Sequence, residues 1–182
     1  VGVIYCETLV GIKGEDFTFE VKVDQHMSEI LWRKNKHKIA EWGGQDPVTY
    51  LTSLRVRGLL NTENGSLTIF DLQKNDSGEY MLEYMDSEKK VHSLTYVLAV
   101  KDPFPEPEIS CNITANDTKL RCTTDFHQPM SYRWKIGSVT SSSKAQEISI
   151  PKNLDPSTRV TCSIKFSQTE KSSQINLTSC SQ

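Results

Sequence analysis

Hydrophobic and polar positions alternate with period two along most of this chain. Residues 17–23 read Phe-Thr-Phe-Glu-Val-Lys-Val, and residues 66–70 read Ser-Leu-Thr-Ile-Phe. Each pattern predicts a strand with one buried face. Residues 94–100 form a longer apolar run, of a length that suits a strand. The same grammar returns in residues 119–123, 132–136, 148–150, 159–164 and 174–178. Asn-Gly, Asp-Ser-Gly and serine-rich turn signals separate these runs. No long helical stripe appears. Short strands with frequent turns predict an all-β sandwich or barrel.

A proline-rich stretch, Asp102-Pro-Phe-Pro-Glu-Pro-Glu108, interrupts the pattern near the middle. Proline fixes φ and lacks a donor, so it ends ladders and stiffens connections. The expected organisation is one domain over 1–101, a linker over 102–107 and a second domain over 108–182. In the second, Cys122 is followed after 12 residues by Trp134 and after 40 by Cys162. This cysteine, tryptophan, cysteine spacing marks an immunoglobulin sandwich, whose disulfide staples two sheets beside the indole. Cys111 and Cys180 are left for an extra bridge between first and last strands, although spacing alone does not select the connectivity.

The first half carries the same layout without the staple. Asp76-Ser-Gly-Glu-Tyr80 fits the turn that opens the sixth strand, with the Tyr80 hydroxyl bonding back to backbone at the corner. Leu82 and Val21 stand at the usual cysteine positions, and Trp32 follows Val21 by 11 residues. Val21, Trp32 and Leu82 are expected to meet as an apolar pin. The fold expected is thus two tandem immunoglobulin-like sandwiches. The first is variable-type and lacks the inter-sheet disulfide; the second is constant-type with two.

Composition narrows the compartment. With 182 residues, 21 Lys and Arg against 23 Asp and Glu, and net charge -2, an overall basic nucleic-acid or membrane binder is disfavoured. The first 101 residues hold 12 basic and 15 acidic side chains, and the rest hold nine and eight. No apolar run approaches the ~20 residues of a membrane span, and no signal-peptide pattern opens the chain. None of the five cysteines forms the close pairs of zinc or redox sites. Five sequons, at Asn64, Asn75, Asn112, Asn116 and Asn176, add to the apparent disulfide framework. Together they indicate a secreted or cell-surface protein. Cys6 has no evident partner; it is either a buried or capped thiol or an intermolecular disulfide. No nucleophile elbow, zinc helix or phosphate loop is present, and His26, His37, His92 and His127 lack metal spacing. Neither an enzyme nor a cofactor or metal is expected.

A variable-type domain without its disulfide, followed by a constant-type domain with two, resembles the SLAM-related lymphocyte adhesion family of the immunoglobulin superfamily. Residues 30–41 (Ile-Leu-Trp-Arg-Lys-Asn-Lys-His-Lys-Ile-Ala-Glu), 64–72 and 95–98 carry the likeness. It extends over nearly the whole chain and is densest in the first domain. The resemblance implies an adhesion ligand for the cluster-of-differentiation-two receptor on T and natural killer cells, supporting adhesion and co-stimulation. The second domain would be a spacer, with N-linked glycans and a membrane anchor outside this sequence. The alternatives are a sibling receptor of the Blast-one type with another immunoglobulin partner, or a soluble or viral decoy.

The resemblance places binding on the sheet face of the third, sixth and seventh strands. If Trp32 points inward, Glu29, Leu31 and Arg33 point outward. Lys34, Lys36, His37 and Lys38 then crowd the following turn, Glu41 the next strand, and Lys89 a later hairpin. Tyr50 and Leu51 are candidate apolar anchors. The bland reading is a solvated hydrophilic face. The functional reading is electrostatic recognition, which is weak, fast and salt-sensitive. His37 and Lys89 replace acidic residues of the family pattern, so receptor preference is expected to be species-matched.

Overall fold

The computed structural model describes residues 5–45 and 47–180. The chain divides into two compact units, residues 1–103 and 104–182. Each is a two-sheet sandwich.

In the first unit the strands are β1 (Cys6–Ile12), β2 (Phe17–Phe19), β3 (Glu29–Lys34), β4 (His37–Trp42), β5 (Thr49–Tyr50), β6 (Gly58–Leu60), β7 (Leu67–Ile69), β8 (Gly78–Met85) and β9 (Val91–Lys101). One sheet has the order β1-β9-β8-β3-β4-β5 and the other β2-β7-β6. β1 runs parallel to β9, and the remaining pairs are antiparallel. The β2 ladder ends at Phe19, short of the strand expected over 17–23; its partner β7 pairs only across Leu67 to Ile69. Beyond it, the Val21 amide donates to Ser66 Oγ at 3.1 Å instead of to a strand.

The core replaces a disulfide with rings. Val21, Trp32 and Leu82 are all buried in one cluster. The centre, however, is Phe19, fully buried and 4.6 Å from the Tyr80 ring, 5.3 Å from Trp32 and 5.7 Å from Tyr96. Trp32 and Tyr96 stack at 5.7 Å. Such pairs add ~0.5–1.5 kcal/mol each beyond the area they bury. The Trp32 Nε1 proton is satisfied by the Gly65 carbonyl at 2.9 Å. The Tyr80 hydroxyl donates to the Asp76 carbonyl at 2.5 Å, which makes the expected corner. Burial pushes the Tyr80 phenol well above its ordinary pKa. Asp76, itself buried, also accepts from both Arg57 guanidinium nitrogens at 2.9 Å, and this part-buried pair joins the β6 approach to the corner.

In the second unit, β10 (Glu108–Ile113), β11 (Thr118–Thr123) and β14 (Glu147–Ile150) form one sheet. β13 (Val139–Thr140), β12 (Ser131–Ile136), β15 (Arg159–Phe166) and β16 (Thr169–Asn176) form the other. Cys122–Cys162 joins the two sheets and Cys111–Cys180 ties β10 to the chain after β16. Trp134 lies directly opposite Cys162, is fully buried, and donates Nε1 to the Ala145 carbonyl at 2.8 Å. Phe104 falls in the proline-rich segment yet packs within this unit, 5.0 Å from Phe126 and 99% buried. Its carbonyl accepts the Lys171 ammonium at 2.5 Å.

Candidate binding face

Side-chain parity across the large sheet of the first unit fixes what its outer face displays. Trp32 pairs with Leu82 on one side and Ala40 on the other, and all three are buried. Their alternate neighbours therefore point outward. Glu29, Leu31 and Arg33 lie opposite Met85, Glu83 and Met81, which lie opposite Val91, Ser93 and Thr95. On β4, Glu41 lies beside Leu31 and Lys38 beside Arg33, across a bulge between Trp32 and Arg33.

Two part-exposed ion pairs mark this face. Arg33 contacts Glu83, and Lys38 lies 3.7 Å from Glu41. Surface pairs of this sort contribute only ~0–1 kcal/mol. Glu29, Lys36 and Lys89 form no ion pair among the described residues. Two shallow concavities flank the Arg33–Glu83 contact. One, of about 400 Å³, is lined by Arg33, Lys36, Glu79, Met81 and Glu83. The other, of about 330 Å³, includes Glu29, Leu31, Glu41, Trp42, Met85 and Val91. The face is thus a charged lattice over thioether and aliphatic side chains.

The hairpin between β3 and β4 is tight because Asn35 and Lys36 both adopt positive φ, 47° and 73°. Two such residues make the mirror-image turn that matches strand twist. Asn35 also anchors it, accepting the Glu79 amide on Oδ1 at 3.0 Å and donating its own amide to the Glu79 carbonyl at 2.8 Å.

Three residues expected on the face are placed elsewhere. Lys34 shares the parity of Trp32 and pairs with Tyr80. Its ammonium sits 5.9 Å from the Tyr80 ring and donates to the Asn75 carbonyl, and burial lowers its pKa. His37 lies opposite Lys34 in the closing pair of the hairpin, so it shares that parity. Tyr50 lies opposite buried Ala40; it packs against the core, and its hydroxyl accepts the Leu60 amide at 2.8 Å. Leu51 is half-buried and its amide is committed to Ile39. The apolar centre of the face is instead Leu31, Met81, Met85 and the 62% exposed Val91. Met85 and Val91 border the β8–β9 hairpin; their strand-end position hid them from a pattern reading centred on charge.

Lys89, with φ of 62°, occupies the β8–β9 hairpin, at the end of the sheet away from Lys36. Five residue steps along β3 put these ends ~17 Å apart. The hairpin is organised by Asp86. Its Oδ1 accepts the amides of Glu88 and Lys90 at 2.9 and 3.0 Å, and its Oδ2 meets His92 Nε2 at 2.7 Å. The His92 hydrogen bond first, then the Lys90 amide, holds the Asp86 carboxyl below its ordinary pKa.

Asn64, Asn75, Asn112, Asn116 and Asn176 are all exposed, and none lies on β3, β4 or β8. Cys6, at the edge strand β1, is a free and exposed thiol rather than a buried one. Among the described residues there is no cluster that could hold a metal ion and no helix long and apolar enough to cross a membrane.

No family model matches the chain. It is related to human lymphocyte function-associated antigen 3, with 26% identity over 98% of this chain and 73% of that protein. It also matches the horse T-cell surface antigen CD2, with 28% identity over 65% of this chain and 35% of that one. Among solved structures, the CD2-binding domain of CD58, which is lymphocyte function-associated antigen 3, superposes with a TM-score of 0.50 and 20% identity over 98% of this chain and all of that one. The first immunoglobulin-like domain of human CD48 gives 0.53 and 21% over 62% of this chain and 96% of that one. These two structures establish the immunoglobulin fold. The chain accordingly has the immunoglobulin fold, with two disulfides.

Proposed function

We propose that this protein is a cell-surface adhesion ligand that presents the outer face of β3, β4 and β8 to a CD2 receptor on T and natural killer cells, and so supports cell–cell adhesion and co-stimulation. The observation carrying this reading is the face itself. Arg33–Glu83 and Lys38–Glu41 form a lattice of alternating sign, with Glu29 and Lys36 beside it and outside any ion pair among the described residues. The sequons lie on other elements, so glycans would leave the lattice open. Similarity to lymphocyte function-associated antigen 3, whose solved domain is described as CD2-binding, supports the choice of partner.

The physical mechanism follows from the charges. Complementary signs steer encounter and exclude mismatched partners. Each side chain already paired within the face must be stripped of water, and in part re-paired, on binding. Much of the Coulomb gain is therefore cancelled. The small apolar centre of Leu31, Met81, Met85 and Val91 adds modest area. The product is a contact that forms and breaks quickly, and holds two cells together by number. Lys36 and Lys89, from opposite ends of the sheet, contribute at the rim. Lys34 and Tyr50 support the face from behind, and His37 is exposed at the end of the β3–β4 hairpin.

Surface plasmon resonance with this ectodomain over immobilised CD2 ectodomain of the same species tests the reading. Weak, rapidly dissociating binding that fades as salt rises is expected. Absence of binding at high concentration in low salt would contradict the partner assignment, and sibling receptors of the same superfamily would then be assayed in its place.

A further inference from the structure

The larger sheet of the second unit carries a surface of another kind. Trp134 and Cys162 lie opposite each other and both are buried, so their alternate neighbours on β12, β15 and β16 point outward. The register sets those outward positions in successive rows across the sheet, and each row holds one cation. Lys165 lies opposite Ser131, Arg133 opposite Ser163 and Lys135 opposite Thr161, and Arg159 ends the series beside Gly137. All of these cations are exposed. They sit on β12 and β15, which are adjacent in the sheet. They therefore form a stripe ~5 Å wide and, over six residue steps from Lys165 to Arg159, ~20 Å long.

The stripe is nearly of one sign. Among these outward positions the single carboxylate is Glu170, which pairs with Arg133 at 2.6 Å. Lys135, Arg159 and Lys165 form no ion pair among the described residues. The smaller sheet of the same unit gives the contrast. Its outward positions set Lys119 and Arg121 against Glu108 and Glu147, so its charges balance.

The groups around the cations select the class of partner. Thr161 and Ser163 lie between them on β15, and Ser172 and Gln174 flank them on β16. No outward position of β12, β15 or β16 carries an aromatic or aliphatic side chain. A protein partner is gripped through an apolar centre, and a membrane surface through inserted apolar groups. A linear sulfated polysaccharide needs neither. Its sulfates take charge-assisted hydrogen bonds from ammonium and guanidinium groups, and its sugar hydroxyls meet hydroxyls and an amide.

We infer that this stripe binds a sulfated polysaccharide chain of the cell surface, laid along β12 and β15 with sulfates over Lys165, Arg133, Lys135 and Arg159. The inference goes beyond the adhesion reading and does not rest on the charged face of the first unit. The net charge of -2 on the whole chain does not oppose it, because physiological salt screens distant charges beyond ~8 Å. Asn176 lies opposite Arg159, so an N-linked sugar there sits at the end of the stripe, past the rows of Lys165, Arg133 and Lys135. Binding displaces counterions from the polyanion, so affinity should fall steeply as salt rises.

The test measures binding of the secreted ectodomain to immobilised heparin by surface plasmon resonance, with polyglutamate and phosphatidylserine vesicles as comparison surfaces. Heparin binding that weakens about tenfold or more between about 50 and 200 mM salt is expected. Lys135→Glu with Lys165→Glu should weaken it about tenfold or more. Lys119→Glu with Arg121→Glu changes the net charge equally on the opposite sheet and should leave it unchanged. Absence of heparin binding in low salt, or equal losses in the two double variants, would overturn the inference. Tighter binding to polyglutamate than to heparin would overturn it in favour of an acidic protein surface, and tighter binding to the vesicles in favour of a lipid one.

Discussion

The two units solve one architectural problem by different means. Both press two sheets together around a tryptophan, Trp32 in the first and Trp134 in the second, each fully buried. The second unit ties its sheets covalently through Cys122–Cys162 and closes its ends with Cys111–Cys180. The first gathers Phe19, Tyr80 and Tyr96 around its indole and adds the part-buried Arg57–Asp76 pair. A staple works largely on the unfolded chain, and ~4 kcal/mol is expected for a 40-residue loop. Ring packing works on the folded state and demands close fit. The unstapled unit is also the one with the charged face. It therefore depends wholly on its core to keep that face in register.

The largest expected effect breaks the packing solution. Phe19→Ala should destabilise the first unit by ~3–5 kcal/mol, because a buried ring at the centre of the cluster leaves a cavity. Chemical denaturation followed by tryptophan fluorescence reads the change. The mirror experiment removes the covalent solution. Replacing Cys122 and Cys162 together by alanine should lower the stability of the second unit by ~2–5 kcal/mol and leave amide exchange of the first unit unchanged. Next comes Arg57→Ala, which leaves the buried Asp76 carboxylate with the Gln73 amide as its remaining side-chain hydrogen bond. A loss of about 1–3 kcal/mol is expected, read by the same denaturation, because a buried charge deprived of its counter-ion costs more than the pair contributes.

The smallest effect concerns the β8–β9 hairpin. The Asp86 carboxyl is held below its ordinary value of 3.8, so the folded state favours the ionised form. The stability it adds is present above 3.8 and is lost as pH falls through the lower folded value. Amides of residues 88–90 should lose protection in that acid range. In Asp86→Asn the acid transition at these amides should disappear. Exchange measured across pH checks both.

Much of this was legible in the chain. The Cys122, Trp134, Cys162 spacing and the Asp76 to Tyr80 corner are local signals of one element, and the structure places them as the spacing implies. What sequence missed depended on partners. Val21 matched the missing cysteine by position, but the β2 ladder stops at Phe19 because β7 supplies only three partners. Lys34 and Tyr50 looked like surface residues from their polarity and neighbours. Only the register against Tyr80 and Ala40 sends them to the other side of the sheet; His37 shares the parity of Lys34 but stays exposed at the hairpin end. The Arg57–Asp76 pair joins positions 19 apart across a corner, and no periodicity announces it. The apolar centre of the face was legible in part: Leu31 and Met81 follow from the outward parity beside Trp32 and Leu82, whereas Met85 and Val91 sit at strand ends beside a hairpin, where a short pattern fades.

The central claim is that binding belongs to the outer face of the first unit. One equilibrium measurement addresses it: surface plasmon resonance against CD2 for the wild type, Lys38→Glu and Arg121→Glu. Lys38 lies on the face and Arg121 on β11 of the second unit, each in an exposed ion pair, so the two reversals change net charge equally. The account predicts affinity reduced about tenfold or more in Lys38→Glu and unchanged in Arg121→Glu. Equal affinity for Lys38→Glu and the wild type, or loss confined to Arg121→Glu, would contradict it.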